Sequence, residues 1–212
     1  MGARTGAAQT QWRFGGHILG VGTASGTRLV VGMWRGTPLG DFADVMVQHD
    51  DGHRLLLAPT EAVAEFVSAT YHFDEVRIEP VRAHVPRPAR AGAKLTVETD
   101  TLQLTATLGR RSPLGWGLRA LPRPVASHPG FSMFSDPIAR LMLRGVRTRG
   151  SAGSGRREYY GALDAHTVRA VRANWEGTDL GALRRVEPAT TFGFSSTPPA
   201  PTLTRIVTTV VF

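Results

Sequence analysis

The sequence predicts a mainly β protein with a minor α component: a single antiparallel β-barrel-like domain over residues 1–212, with about two short helices. Short apolar runs recur along the chain, and its 24 glycines and 14 prolines suit the many turns between them. An Asp-Gly turn at residues 51–52 joins two of these runs, as in a β-hairpin. Residues 94–98 and 102–108 alternate apolar and polar side chains, which indicates strands with one buried face. A doubly wound parallel sheet would need helices between strands, and these are lacking.

The first part of the chain predicts closely spaced strands followed by a helix. Residues 1–11 are small and polar and are expected to be disordered or peripheral. Thr60 can cap a helix whose first turn contains Glu61, where the helix dipole favours a carboxylate, so a helix is predicted over residues 60–67. The predicted strands before it cover residues 12–22, 29–34, 41–47 and 53–58.

The second part of the chain predicts longer connections and a second helix. Asp136 can cap a helix over residues 136–144, because Pro137 fits the first turn without losing a hydrogen bond. Residues 109–130 are rich in proline, glycine and arginine and are predicted to form a long loop. The other predictions are an extended stretch at 71–81, a loop at 82–92, two strands at 157–162 and 166–175 joined by a turn, one helical turn at 179–183, and strands at 190–194 and 203–212.

Arginine dominates the charge of this sequence. The formal net charge is +8, and Lys94 is the single lysine among 25 cationic residues. The arginines are scattered and form no basic stripe with interleaved aromatic residues, so nucleic acid is not the favoured partner. An arginine bias of this kind is also what GC-rich coding produces. The chain has no cysteine, which excludes disulfides, thiolate metal sites and a cysteine nucleophile.

The hydropathy pattern predicts no membrane partner. No apolar run approaches the roughly 18 residues that a membrane-spanning helix needs. The first residues lack the apolar middle of a signal peptide, so a cytoplasmic protein is expected. Association into a homo-oligomer is left open.

Two carboxylates near the second and third predicted strands are the first candidates for chemistry. In a strand, Asp44 shares a face with Phe42 and Met46, so its carboxyl would lie among apolar groups. A carboxyl in such surroundings has a raised pKa and can serve as a general acid or base. Asp41 and Asp44 therefore become candidates, as a ligand-binding and a catalytic residue. The alternative is that this face turns outward at a sheet edge, or that Asp41 caps the bend before the strand.

Further candidates lie in polar and aromatic clusters. If residues 157–160 are extended, Arg157 and Tyr159 face one side and Glu158 faces the other, so one set could project into a barrel interior. Glu158 is a second candidate catalytic residue, and a cross-strand ion pair with aromatic packing is the alternative. The candidate ligand-binding residues are Trp34, Arg35, Asp41, Arg157, Tyr159 and Trp175.

Neither a metal nor another cofactor is predicted. The seven histidines form no ligand motif such as His-Glu-x-x-His. The glycine-rich residues 150–155, flanked by arginines, could hold an anion, but they lack the Gly-Lys-Ser/Thr ending of a phosphate-binding loop. A solvated connection is the favoured interpretation of that segment.

Two glycine-containing segments carry a family resemblance. Residues 34–47 place a proline- and glycine-marked bend before an aromatic and an acidic residue, and residues 175–198 contain Trp-Glu-Gly-Thr-Asp followed by Phe-Gly-Phe. Both segments resemble acetoacetate decarboxylase-like proteins. The resemblance implies a curved antiparallel β-barrel around a small-molecule pocket, with Asp44 matching the pocket acid. The decarboxylase uses a Schiff-base lysine, whereas Lys94 lies in no matching motif, so imine chemistry is not expected here.

These observations together predict a small-molecule-binding β-barrel protein whose ligand is an organic acid or metabolite contacted by arginine. Binding without chemistry and non-imine catalysis, by a lyase, isomerase or cyclase, are both left open. The alternatives are a lipocalin-like binding protein without catalysis and an arginine-rich nucleic-acid-binding protein.

Overall fold

The computed structural model describes residues 11–120, 149–151, 157–193 and 197–211, and these residues form a mainly β structure with two helices. The predicted fold class is confirmed. The elements are β1 (Gln11–Thr23), β2 (Arg28–Thr37), β3 (Gly40–Gln48), β4 (Arg54–Ala58), α1 (Glu61–Ser68), β5 (Glu75–Ile78), β6 (Arg82–His84), β7 (Lys94–Glu98), β8 (Leu102–Arg111), α2 (Pro113–Ala120), β9 (Arg149–Ser151), β10 (Arg157–Trp175), β11 (Thr178–Asp179), β12 (Leu183–Arg184) and β13 (Thr202–Val211).

All of these strands belong to one sheet. The order along its main path is β5-β4-β3-β2-β1-β13-β10-β8-β7-β6, while β9 and β11 pair with β10 and β12 pairs with β1. The ladders are antiparallel except the one between β4 and β5, so the sheet is mixed. Within the described ranges no ladder joins β5 to β6, and the sheet is therefore not closed by backbone hydrogen bonds. The single-domain organisation stays a prediction.

Helix α1 explains why one pair of strands is parallel. It connects β4 to β5 as a crossover, which brings the chain back in the same direction. The Thr60 hydroxyl accepts a hydrogen bond from the Val63 amide at 3.3 Å, so the predicted cap and helix are confirmed. The helix buries Val63, Ala64 and Val67 beside Leu56 and Ala58 of β4. This contact covers the outer face of β3 and β4.

The inner face of the sheet carries the main hydrophobic core. Aliphatic side chains of β1 to β4 pack with those of β7, β8 and β10, including Leu19, Val31, Leu57, Leu95 and Leu104. Because strands from both ends of the sheet order share this one cluster, the sheet must curl around it. The curled sheet gives the barrel-like shape that the sequence predicted.

Replacing Leu57 by alanine should lower the free energy of unfolding by about 2–5 kcal/mol, because a fully buried leucine is removed and the core cannot collapse around the gap. Val76→Ala on the neighbouring strand is the control, with an expected loss below about 0.5 kcal/mol since Val76 is 44% exposed. Urea unfolding of both variants measures the difference. Equal losses would contradict the placement of the core on the inner face.

Polar side chains connect β5, which is at one end of the strand order, to segments nearer the other end. Arg77 of β5 donates hydrogen bonds to Glu75 and to Glu176 after β10, each at 2.6 Å. Glu79 accepts a hydrogen bond at 2.6 Å from the hydroxyl of Thr101, which lies between β7 and β8. These side-chain hydrogen bonds hold together parts of the sheet that backbone hydrogen bonds would join in a closed barrel.

Several predicted boundaries in the second half of the chain are wrong. The predicted turn between residues 162 and 166 does not occur, because β10 is one strand that absorbs the irregularity as a register shift between Ala162 and Asp164. Residues 109–120 are not a loop: β8 continues to Arg111 and α2 follows, with the Ser112 hydroxyl accepting from the Gly115 amide at 3.0 Å. Strands β11 and β12 replace the helical turn predicted at 179–183.

Smaller differences concern short segments. Within the extended stretch predicted at 71–81 the strand covers Glu75–Ile78, and the loop predicted at 82–92 contains β6. Residues 190–193 form no strand. The second helix predicted at 136–144 and the segments at 1–10 and 152–156 lie outside the described residues.

Candidate functional site

A cavity of about 760 Å³ opens on the inner face of the sheet, beside the hydrophobic core. Its walls come from β1, β2, β3, β10 and β13, from residues 81–89 and from α2. The lining combines apolar side chains with a larger share of polar surface, and the cavity volume is in the range of small-molecule sites. The charged and titratable residues of the lining are Arg35, Arg87, Arg111, Arg119, Arg205, Asp41, Asp164, His17 and His166.

The strand register aligns the polar groups of this cavity in one row across four strands. His17 of β1 lies opposite Met33 of β2 on one side and opposite Arg205 of β13 on the other. Arg205 in turn lies opposite Asp164 of β10. Side chains of directly opposed residues point to the same face and stand about 5 Å apart at Cβ. The row therefore places an imidazole, a guanidinium and a carboxylate side by side at the cavity.

Asp164 is bound by another arginine. The guanidinium of Arg111 donates two hydrogen bonds to its carboxylate oxygens, at 2.7 and 3.0 Å. Burial alone would raise the pKa of Asp164, but these bonds and one from the Ala165 amide outweigh it and hold the pKa below its ordinary value. Arg111 also stacks over the ring of Trp116 in α2, 4.8 Å from its centroid. Arg111 itself belongs to the cavity lining.

The imidazole of His17 is held neutral. Burial lowers its pKa to about 4, and the positive charges of Arg205, Arg87 and Arg35 act in the same direction against a small opposing effect of Asp164. The pKa of His166, which is 6% exposed, is also lowered, mainly by burial. The cavity thus has a net positive field, because five arginines face two aspartates.

The predicted acid Asp44 lies on the opposite face of the sheet. Its carboxylate is 2% exposed and accepts a hydrogen bond from the indole nitrogen of Trp34 at 3.0 Å. Burial raises the pKa of Asp44 to about 6 although the Trp34 hydrogen bond lowers it. Gly32, which lies opposite Asp44, makes this contact feasible, because a Cβ there would overlap the carboxylate and stand 2.5 Å from the indole nitrogen.

The other predicted site residues are divided between regions. Arg35 and Asp41 belong to the cavity lining, and Asp41 also accepts a hydrogen bond from the Gly36 amide at 2.7 Å. Trp34 borders the cavity too, but its indole lies on the other face of the sheet with Asp44. Trp175 lies in a different cluster, 5.3 Å from the ring of His49 and 5.8 Å from the guanidinium of Arg77. Arg157, Glu158 and Tyr159 are in β10, opposite Val211, Val210 and Thr209, and their side chains lie outside the described part of the structure. The catalytic roles of Asp44 and Glu158 stay predictions.

Sequence reasoning missed His17, Arg111, Asp164 and Arg205. A partial signal exists, since His17 shares its strand face with Leu19 and Arg205 alternates within an apolar strand. The register between β1 and β13 decides which of these residues face one another. Local sequence patterns do not encode this register.

The described ranges contain no group of three histidine or acidic side chains that could hold a metal ion. Among the described helices, neither has the length and apolar character needed to span a membrane. The predictions about nucleic acid, oligomeric state and cellular location stay predictions.

No protein-family model and no curated protein matches this chain. Among solved structures, the chain is similar to one from Nitrosomonas europaea, a protein provisionally named AttH, with 11% sequence identity and a TM-score of 0.26. The match covers 98% of this chain and 40% of that one, so this chain spans less than half the length of the AttH protein. At this TM-score the likeness carries no argument about the site. The resemblance to acetoacetate decarboxylase-like proteins stays a prediction.

Proposed function

We propose that this protein binds a small organic anion in the cavity on the inner face of its sheet, with Arg205 as the anchor for the negative group. One observation supports this most directly. Arg205 lies between His17 and Asp164 in the cross-strand row, and both oxygens of Asp164 already bind Arg111. Within the described residues Arg205 has no carboxylate partner.

An anionic ligand would complete this arrangement. A guanidinium binds carboxylate, sulfonate or phosphate oxygens through charge-assisted, often paired hydrogen bonds. The cavity lining also contains apolar side chains, including Met33, Val85 and Leu203, which suit the hydrocarbon part of such a ligand. The proposal is for binding; Asp44, on the other face of the sheet, gives no support for catalysis in this cavity.

Binding is tested with a matched pair of fluorescent probes, anilinonaphthalene sulfonate and the uncharged N-phenylnaphthylamine. We expect the sulfonate to bind and to raise the melting temperature, and the uncharged probe to bind at least about tenfold more weakly. Arg205→Gln should weaken sulfonate binding about 10- to 100-fold, the value of a lost charge-assisted hydrogen bond, and should leave binding of the uncharged probe unchanged.

The matched control removes the same charge outside the cavity. Arg169 is exposed on β10 and does not belong to the lining, so Arg169→Gln should change sulfonate affinity by less than about twofold. Equal affinity for the two probes, or equal effects of the two substitutions, would overturn the proposal. Circular dichroism of each variant confirms that the probe reports on the folded protein.

A further inference from the structure

We infer that ligand binding in this cavity is coupled to uptake of one proton by His17, so that an anion and a proton enter together. The inference rests on the proposed function and adds how that site responds to pH. His17 lies in the cavity lining directly opposite Arg205, the proposed anchor. Within the described ranges the imidazole has neither a hydrogen bond nor an ion pair, so its ring nitrogens are available to a ligand.

Without a bound anion, the cavity holds the imidazole neutral for two separate reasons. Burial removes the solvation that an imidazolium would need, and the nearby guanidinium groups repel a further positive charge. The guanidinium groups that act on the imidazole come from three elements: Arg205 from β13, Arg35 from β2 and Arg87 from the segment before β7. The charged or titratable groups that face His17 across the cavity are Arg205, Arg35, Arg87, Arg111, Arg119, Asp41, Asp164 and His166.

A bound anion reverses the electrostatic part of this balance. Its negative charge offsets the guanidinium charges, and its oxygens accept a hydrogen bond from an imidazolium N–H. The free ring nitrogen of His17 then takes a proton from solvent, and the other ring nitrogen keeps its own. Asp164 cannot play the part of the anion, because Arg111 already neutralises it.

The direction of the pH dependence follows from linkage. A group whose pKa is higher in the complex than in the free protein takes up a proton on binding. Affinity is therefore greatest at low pH and falls as the pH rises through the pKa of His17 in the complex. The slope reaches at most about tenfold per pH unit for one proton.

Anilinonaphthalene sulfonate is a suitable probe, since its sulfonate stays ionised throughout the pH range of the experiment, about pH 5 to pH 8. The background variant Asp44→Asn removes a carboxyl whose pKa of about 6 would add a second titration in the same range. Between about pH 5 and pH 8 we expect the affinity of the Asp44→Asn protein for anilinonaphthalene sulfonate to fall at least about tenfold. Calorimetry in two buffers of different ionisation enthalpy should show uptake of about one proton at the acid end.

Two histidine variants show which histidine takes up the proton when the ligand binds. His17→Gln keeps a polar side chain that cannot titrate, so it should bind the sulfonate with an affinity that varies less than about twofold over the range and with no proton uptake. His166→Gln should keep the full pH dependence, because His166 lies opposite Leu203 and not Arg205, and its pKa is lowered mainly by burial, which an anion at Arg205 does not remove.

The possible failures are distinguishable. Sulfonate binding that depends on Arg205 but has no proton uptake, or the same pH dependence in His17→Gln, would overturn the proton coupling and leave the proposed function standing. Loss of the pH dependence in His166→Gln instead of His17→Gln would also overturn it. Binding that Arg205→Gln does not affect would overturn the proposed function itself.

Discussion

Replacing Gly15 by leucine should abolish anion binding, with at least a hundredfold loss of affinity for anilinonaphthalene sulfonate and little change in stability. Gly15 lies opposite Arg35 and Val207, one row from His17, and belongs to the cavity lining. A Cβ at Gly15 would meet nothing within 4 Å. The leucine side chain therefore has room to extend into the cavity and occupy the space that the ligand needs. Fluorescence titration measures the loss.

Two neighbouring substitutions control for this result. Gly15→Ala adds a methyl group to open space and should change the affinity less than about threefold. Gly16→Ala should instead destabilise the fold by about 1–3 kcal/mol, since its Cβ would overlap the backbone carbonyl of Met33. A Gly15→Leu protein that is folded and still binds the sulfonate would show that the ligand lies elsewhere.

The contribution of Asp44 to the free energy of unfolding should fall as the pH rises from about 4 to 8, because Asp44 is buried. His17, whose lowered pKa acts in the opposite sense over this range, contributes equally to the parent protein and to an Asp44 variant. The pKa of Asp44 is about 6 in the folded chain against an ordinary value of 3.8, so folding favours the protonated carboxyl. The stabilisation is fully present below 3.8 and is lost as the pH rises through about 6. The difference corresponds to about 3 kcal/mol.

Asp44→Asn should remove this contribution, which is measured as the difference in unfolding free energy between the variant and the parent protein at each pH. The amide oxygen can still accept the Trp34 hydrogen bond, and no charge needs to be buried at neutral pH. At pH 8 the variant should melt about 6 °C or more above the parent protein, and near pH 4 the two should melt within a few degrees. The converse, a variant less stable than the parent at pH 8, would mean that an ionised Asp44 has a partner that favours its charge.

Much of the sheet could be predicted because its signals are local. The glycine- and aspartate-marked turn at residues 49–53 is found, with Gly52 at a φ of 93°, and the alternation of β7 and β8 predicts their pairing. Thr60 and the residues after it predict α1. The continuity of β10 could not be predicted, because the residues around Asp164 are typical of a turn. The irregularity there is a bulge that depends on the pairing of β10 with β13.

The site could be predicted only in part, for a related reason. The alternation around Asp44 indicated a buried carboxyl with a raised pKa, and both features are found. Both faces of β3 are apolar, so local patterns could not show which face encloses a cavity. The cavity depends on pairing between β1 and β13, which are near opposite ends of the chain. No periodicity within either strand encodes that His17 meets Arg205.

The position of β5 at the end of the strand order affects how readily copies of the protein associate at high concentration. It ends the main path of the sheet, and its exposed side chains Val76 and Ile78 alternate with Glu75 and Arg77. An apolar strand with a free edge invites another copy to add to it, whereas charged side chains along that edge oppose the addition. The charged side chains of Glu75 and Arg77 should therefore oppose self-association along this edge, and Arg77 also links β5 to the residue after β10 through Glu176.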